Sequence, residues 1–208
     1  MLWYIQTMAE DARREALKKI KDEVLALAES PLYEYRTQNH YFPVIGEGSH
    51  YAKLMFVGEA PGRTEAQTGR PFVGAAGRIL EELLETVSMD RKEVYIANIL
   101  KDRPPENRDP LPEEIAVYGP FLDRQIDIIE PLVIATLGRY SLGYIMRKFE
   151  LELYIQPISS MHGKSFAAKA PYGDISVVCL YHPAVAVYNN GMKETLKKDF
   201  QIIKELIK

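Results

Sequence analysis

The sequence predicts an α/β protein in which helices cover both faces of a parallel sheet. Three observations carry that prediction. Four short apolar runs, Leu54 to Val57, Val94 to Leu100, Leu132 to Leu137 and Ile175 to Leu180, are rich in β-branched or aromatic residues, as strands buried on both faces are. Helical patterns separate the first three runs. Alternating strands and helices place successive strands parallel, because each crossover returns the chain to the same sheet edge.

The helices follow from the spacing of apolar residues. Residues 8–28 carry Ala12, Ala16, Ile20, Val24 and Leu27 at three- and four-residue intervals among charges, which predicts an amphipathic N-terminal helix. Ile79, Leu80, Leu83, Leu84 and Val87 define one face after the first strand, and Ile115, Leu122, Ile126 and Ile129 another after the second. A break is expected near Pro120, since proline has no amide to donate. Leu142, Ile145 and Met146 mark a third helix, and Leu196, Phe200, Ile203 and Ile207 one near the C-terminus. No repeat, low-complexity tract or Gly/Ser-rich linker interrupts the chain, so a single domain over 1–208 is expected.

Composition excludes several classes. With 208 residues, 47% of them hydrophobic and 26% charged, the chain closes a sizeable core and does not read as disordered. Lys and Arg total 26 against 29 Asp and Glu, a net charge of −3, so any nucleic-acid partner has to meet a local basic surface rather than bulk charge. No apolar run approaches the roughly 20 residues of a membrane span. The short apolar stretch Met1 to Ile5 soon meets Glu10 and Asp11, so neither a span nor a signal peptide is expected. The lone cysteine, Cys179, excludes an intramolecular disulfide and a multi-thiolate zinc or iron-sulfur site. A cytoplasmic protein without a cofactor or metal is expected, with Cys179 a buried structural thiol. Gly163-Lys164-Ser165 ends like a phosphate-binding loop, but Ile158 stands where its first glycine belongs. Neither a nucleophile elbow nor a zincin helix is present.

In parallel sheets ligands bind beyond the carboxyl ends of the strands, and those ends are informative here. The first strand runs into Gly58-Glu59-Ala60-Pro61-Gly62, a turn whose glycines admit close approach by another molecule, and Gly69-Arg70-Pro71-Phe72-Val73-Gly74 follows. The second delivers Asn98 and the stiff basic loop Lys101 to Arg108. The fourth delivers His182-Pro183-Ala184. Taken singly, each has a plainer reading. An amide at a strand end caps turns, a histidine before proline can be structural, a phenylalanine is usually core, and clustered charges usually face solvent.

Taken together they are more specific. The segments Gly58 to Glu65, Gly69 to Gly74, Asn98 to Arg108, Leu137-Gly138 and His182-Pro183-Ala184, in this order and spacing, closely resemble the family 4 uracil-DNA glycosylases over roughly residues 25–205. That resemblance implies a three-layer α/β/α sandwich around a central four-stranded parallel sheet. It also implies a monofunctional enzyme that flips uracil out of DNA, hydrolyses its N-glycosidic bond and leaves an abasic site, initiating base excision repair. Phe72 matches the aromatic that stacks on the extruded base. Asn98 matches the base-reading amide, able to accept from uracil N3–H and donate to O4. His182 matches the histidine that donates toward O2 of the departing anion. Backbone near Glu59 and Ala60 is expected to contact the base, and Glu65 to shape the region that rejects a thymine methyl. Ala60 stands where related families place an Asp or Asn general base, which leaves Glu59 as the nearest acidic candidate. Gly62, Lys101, Arg103, His162 and Lys164 are expected to meet DNA, and Ala184, Val187 and Tyr188 to form an altered wedge filling the space of the flipped base.

Family 4 members typically hold a four-iron, four-sulfur cluster on four cysteines. The matching positions here are Leu27, Ser30, Asp102 and Tyr118, none a thiolate, so a cluster-free protein is expected. Leu27 and Tyr118 then fill the vacated volume and Asp102 pairs locally with a basic neighbour. The expected partner is uracil-containing DNA, met by a monomer. Two competing readings are a glycosylase for another deaminated base such as hypoxanthine, and a non-enzymatic damaged-DNA binding module.

Overall fold

A computed structural model describes residues 2–207 and, along the first helix, side chains from Ala12 onward. Among the described residues, six strands form one sheet: β1 (Glu47–Gly48), β2 (Leu54–Gly58), β3 (Tyr95–Asn98), β4 (Val133–Leu137), β5 (Lys164–Ala170) and β6 (Gly173–Leu180). Their spatial order is β1-β3-β2-β4-β6-β5. The four expected strands are the inner four, β3, β2, β4 and β6, and all pair in parallel. Every residue of β2, β3 and β4 is buried, as the unbroken apolar runs require.

The two edges pair antiparallel and carry little sequence signal. β1 is two residues long, and β5 reads Lys-Ser-Phe-Ala-Ala-Lys-Ala, with too few apolar side chains to resemble a core strand. Lysines on β5 suit an edge, because exposed charge discourages further strand pairing.

Nine α-helices are described: α1 (Leu2–Leu25), α2 (Tyr33–Gln38), α3 (Arg63–Thr68), α4 (Ala75–Thr86), α5 (Pro112–Ile129), α6 (Arg139–Lys148), α7 (Ile158–Met161), α8 (Ala184–Tyr188) and α9 (Met192–Leu206). The N-terminal helix thus starts and ends earlier than its apolar spacing suggests. The pleat divides the core. Met55 and Val57 of β2 meet Ile20 and Val24 of α1 and Leu122 and Ile126 of α5 on one face. Leu54 and Phe56 meet Leu80 and Leu83 of α4 and Phe200 of α9 on the other, where the Phe56 and Phe200 rings stack at 5.7 Å. Helices on both faces make the expected three layers.

The break expected at Pro120 does not occur, and α5 runs through it. Pro120 lies on the exposed side, and the carbonyl its ring leaves unbonded belongs to Ala116, also exposed, so water can satisfy it. No helix among the described residues is long and apolar enough to cross a membrane.

Candidate active site

The carboxyl ends of β2, β3 and β6 converge on a cavity of about 330 Å³, at the low end of the range for small-molecule sites. Register builds its floor. Gly58, the last residue of β2, pairs with Asn98, the last of β3, so the turn after β2 lies beside the amide. A Cβ on Gly58 would collide with Asn98 Oδ1 and approach the Phe72 ring to 2.8 Å. Only glycine lets ring and amide share this floor. Asn98 is buried, and its Oδ1 has no hydrogen-bond partner among the described residues. Burying an acceptor without a partner costs about 1–3 kcal/mol, which marks the atom as awaiting a donor from outside the chain. The His182 ring stands 5.6 Å from that of Phe72 with the planes tilted by 32°. Phe72, Asn98 and His182, far apart in sequence, thus line one cavity.

Phe72 is held at a strained backbone angle, φ +46°, in the left-handed region that non-glycine residues avoid. Two side chains fix it. Arg91 donates to the carbonyls of Pro71 at 2.5 Å and Phe72 at 3.1 Å. Glu65 Oε1 accepts from the amides of Val73 at 3.0 Å and Gly74 at 2.7 Å, which also places a carboxylate at the N-terminus of α4, where the helix dipole favours it. Glu65 lies on the cavity wall, with one oxygen committed to shaping the loop. Arg91 was not foreseen, since nothing local distinguishes a lone arginine before a strand.

Charge in the cavity is tuned by burial. Desolvation, aided by Asp109 and opposed by Arg139, pushes the Glu59 carboxyl up to about 7. Burial draws His182 down to about 4 against the pull of Glu65, so the imidazole is neutral near pH 7. Its Nδ1 accepts the Ala184 amide at 3.2 Å, which leaves the ring proton on Nε2, free to donate. A neutral imidazole with a fixed tautomer beside an aromatic ring and an unsatisfied amide oxygen can bind a planar heterocycle and stabilise negative charge forming on it.

A family model described as the uracil DNA glycosylase superfamily matches residues 45–206, most of the chain. The chain belongs to the uracil-DNA glycosylase superfamily. It is 45% identical over 193 residues to a Type-4 uracil-DNA glycosylase of Sulfurisphaera tokodaii, covering 92% of this chain and 85% of that one. It is 41% identical over 192 residues to the Type-4 uracil-DNA glycosylase of Archaeoglobus fulgidus, covering 92% and 94%. With that of Thermotoga maritima it shares 37% over 201 residues, covering 94% and 97%.

Within this uracil-DNA glycosylase fold, two residues expected to meet DNA do not reach the surface. Lys101 is 0% exposed and donates to the Asn98 carbonyl and to Gln125, because its side chain turns under the strand end. Arg103 is buried too, its guanidinium bound to Asn107 and the hydroxyls of Tyr35 and Tyr41, so it ties the loop together. Their places beside the cavity are taken by Asn107 and Arg108 of the same loop, with Arg108 anchored to Glu114 at 2.5 Å. The other expected contacts are placed outward or at the rim. Gly62 and Ala184 line the cavity, and Lys164 is exposed. His162 is part-exposed, stacked on Tyr181 at 4.4 Å and bonded to Asp199 at 2.8 Å. On α8, Val187 is exposed and Tyr188 is 90% exposed, although large apolar and aromatic side chains normally avoid water.

The four positions corresponding to cluster cysteines do not fit an iron-sulfur cluster, because their polar atoms are bonded to one another. Tyr118 donates to Asp102 at 2.6 Å, and Ser30 shares a 2.5 Å hydrogen bond with Tyr118. Asp102 is paired with Arg36 at 3.0 Å, and Arg36 also donates to the carbonyls of Val24 and Leu25 at the end of α1. Leu27 packs against this core. The partner of Asp102 therefore comes from α2, 66 residues away, and not from its sequence neighbourhood. Tyr118 also does more than fill volume. Its hydroxyl links the basic loop to the chain after α1.

Proposed function

We propose that this chain is a monofunctional uracil-DNA glycosylase, acting as a single-domain cytoplasmic monomer on uracil-containing DNA. The observation that carries the reading is the unpaired, buried Oδ1 of Asn98 beside the Phe72 ring, a site that offers a planar base both a π-face and an acceptor. Uracil presents the N3–H donor that this oxygen needs, and its O4 accepts from the Asn98 amide group. Cytosine presents the opposite pattern and leaves both unsatisfied.

The nucleotide leaves the duplex at a cost of a few kcal/mol, offset by stacking on Phe72, worth about 1–3 kcal/mol, and by α8 entering the space it vacates, with Tyr188 as the filling side chain. As the glycosidic bond lengthens, electrons pass to the uracil ring and the sugar gains oxocarbenium character. His182 Nε2–H donates toward O2 of the leaving anion, and backbone at Glu59 and Ala60 borders the same ring. Water adds to the sugar carbon and loses a proton. Glu59, which lines the cavity together with Glu65, takes that proton, and its raised pKa suits the task near neutral pH. The product is free uracil and an abasic site.

The test is an oligonucleotide carrying uracil or hypoxanthine, incubated with protein and then treated with alkali. Scission at uracil is expected, with His182→Ala slower by about a hundredfold. Scission at hypoxanthine alone, or binding without scission, would replace this reading with one of its two competitors.

A further inference from the structure

Lys101 is a costly residue to bury. It is completely buried, and among the described residues no carboxylate lies within ion-pair distance of it. Its amine donates to two neutral acceptors, the Asn98 carbonyl at 2.7 Å and Gln125 Oε1 at 2.5 Å. Gln125 is itself fixed, donating to the Ile45 carbonyl at 2.9 Å and the Tyr95 hydroxyl at 3.1 Å. A lysine that only filled space would be replaced without loss by methionine, because a buried charge without a counter-charge is strongly unfavourable. Burial draws its pKa down to about 7, with Asp123 pulling the other way, so the amine carries its charge below neutral pH and shares it with the neutral form near pH 7.

What this cradle faces gives it a purpose. The bonded carbonyl belongs to Asn98, whose side chain forms the cavity floor, so the amine sits one peptide unit behind the base-reading amide. A charge held in a low-dielectric interior acts over a longer range than one in water.

We infer that Lys101 is a positioning residue that, in its protonated form and anchored on the Asn98 carbonyl, favours departure of the base as an anion. This rests on the proposed uracil excision. Lys101 touches no substrate. It fixes the carbonyl of Asn98 and biases the potential at the cavity floor, where negative charge grows as the glycosidic bond breaks.

Leaving-group sensitivity separates this from a structural role. Single-turnover excision is measured for uracil and 5-fluorouracil in otherwise identical oligonucleotides, with wild type, Lys101→Gln and Lys101→Met, folding being checked by circular dichroism. Fluorine withdraws charge from the departing ring, so this base asks less of the pocket. Both neutral variants are expected to lose about tenfold on uracil and markedly less on 5-fluorouracil, raising the ratio of the two rates severalfold. A merely loosened pocket slows both bases alike. An unchanged ratio in a folded variant, or a wild-type uracil rate in Lys101→Gln, would overturn the inference. Lys101→Gln keeps a donor near Asn98 and decides the matter even where Lys101→Met does not fold. Absence of uracil excision by the wild-type chain would instead overturn the proposed function and this inference with it.

Discussion

Arg91 clamps the backbone of Phe72, donating to its carbonyl at 3.1 Å and to that of the preceding proline at 2.5 Å. The clamped residue has φ +46°, a conformation that costs on the order of 1 kcal/mol or more without glycine. The ring's aim is therefore maintained by a side chain outside the cavity. Arg91→Ala is expected to fold with a stability loss of about 1–3 kcal/mol, and to slow uracil excision about tenfold as the ring loses its orientation. Urea denaturation and single-turnover kinetics measure the two effects. A stability loss with an unchanged rate would show that the ring holds its place unaided.

Gly58 is the second point of leverage. A methyl group there collides with Asn98 Oδ1 and meets the Phe72 ring at 2.8 Å, so both cavity-lining side chains have to move. Gly58→Ala is expected to reduce excision by about a hundredfold or more while the circular dichroism spectrum remains that of the wild type, since the clash displaces the Asn98 and Phe72 side chains and not the strand backbone. Retained activity would mean that the base enters elsewhere.

Glu59 gives the enzyme a pH signature. Its carboxyl titrates at about 7 in the folded chain, raised by burial and then by Asp109 from the usual 4.5. As a base it must be ionised, so the rate should fall as pH drops below 7, and Glu59→Gln should lower the rate and abolish that dependence. Stability runs the other way. A group with a raised folded-state pKa contributes fully below its unfolded value and loses that contribution as pH rises through 7. Thermal denaturation should accordingly show Glu59→Gln gaining on wild type between pH 5 and pH 8. An identical difference at both values would contradict the burial assigned here.

The Tyr118 hydroxyl bonds both Ser30 and Asp102. Tyr118→Phe preserves the ring and removes the link, leaving the Asp102 carboxylate short of one donor in a buried setting. A loss of about 1–3 kcal/mol is expected in urea unfolding, with a smaller change in excision because Arg36 still holds Asp102. A variant as stable as wild type would show the bridge to be dispensable.

Much of this was legible in the sequence, for reasons that also explain what was not. The inner strands are continuous apolar runs, and α4, α5, α6 and α9 have regular apolar faces, so periodicity located them. β1 and β5 escaped because edge strands bury little and need no apolar pattern. Pro120 misled because a helix tolerates proline where the orphaned carbonyl faces water. At the site, motif and order single out Phe72, Asn98 and His182, and the fold brings all three to one cavity. Lys101 and Arg103 were misread as phosphate contacts, since a charged loop residue gives no sign in one dimension of whether its side chain turns inward. Arg91 and Gln125 act through backbone carbonyls, which leave no trace in residue type.

The bonded group formed by Ser30, Arg36, Asp102 and Tyr118 has a consequence for the conditions under which the fold survives. Hydroxyls, a carboxylate and a guanidinium offer peroxide no sulfur to oxidise and a chelator no iron to extract. The wall behind the basic loop is tied together by hydrogen bonds and an ion pair among these four side chains, so the contacts that join it to the chain after the first helix are insensitive to oxidants and chelators.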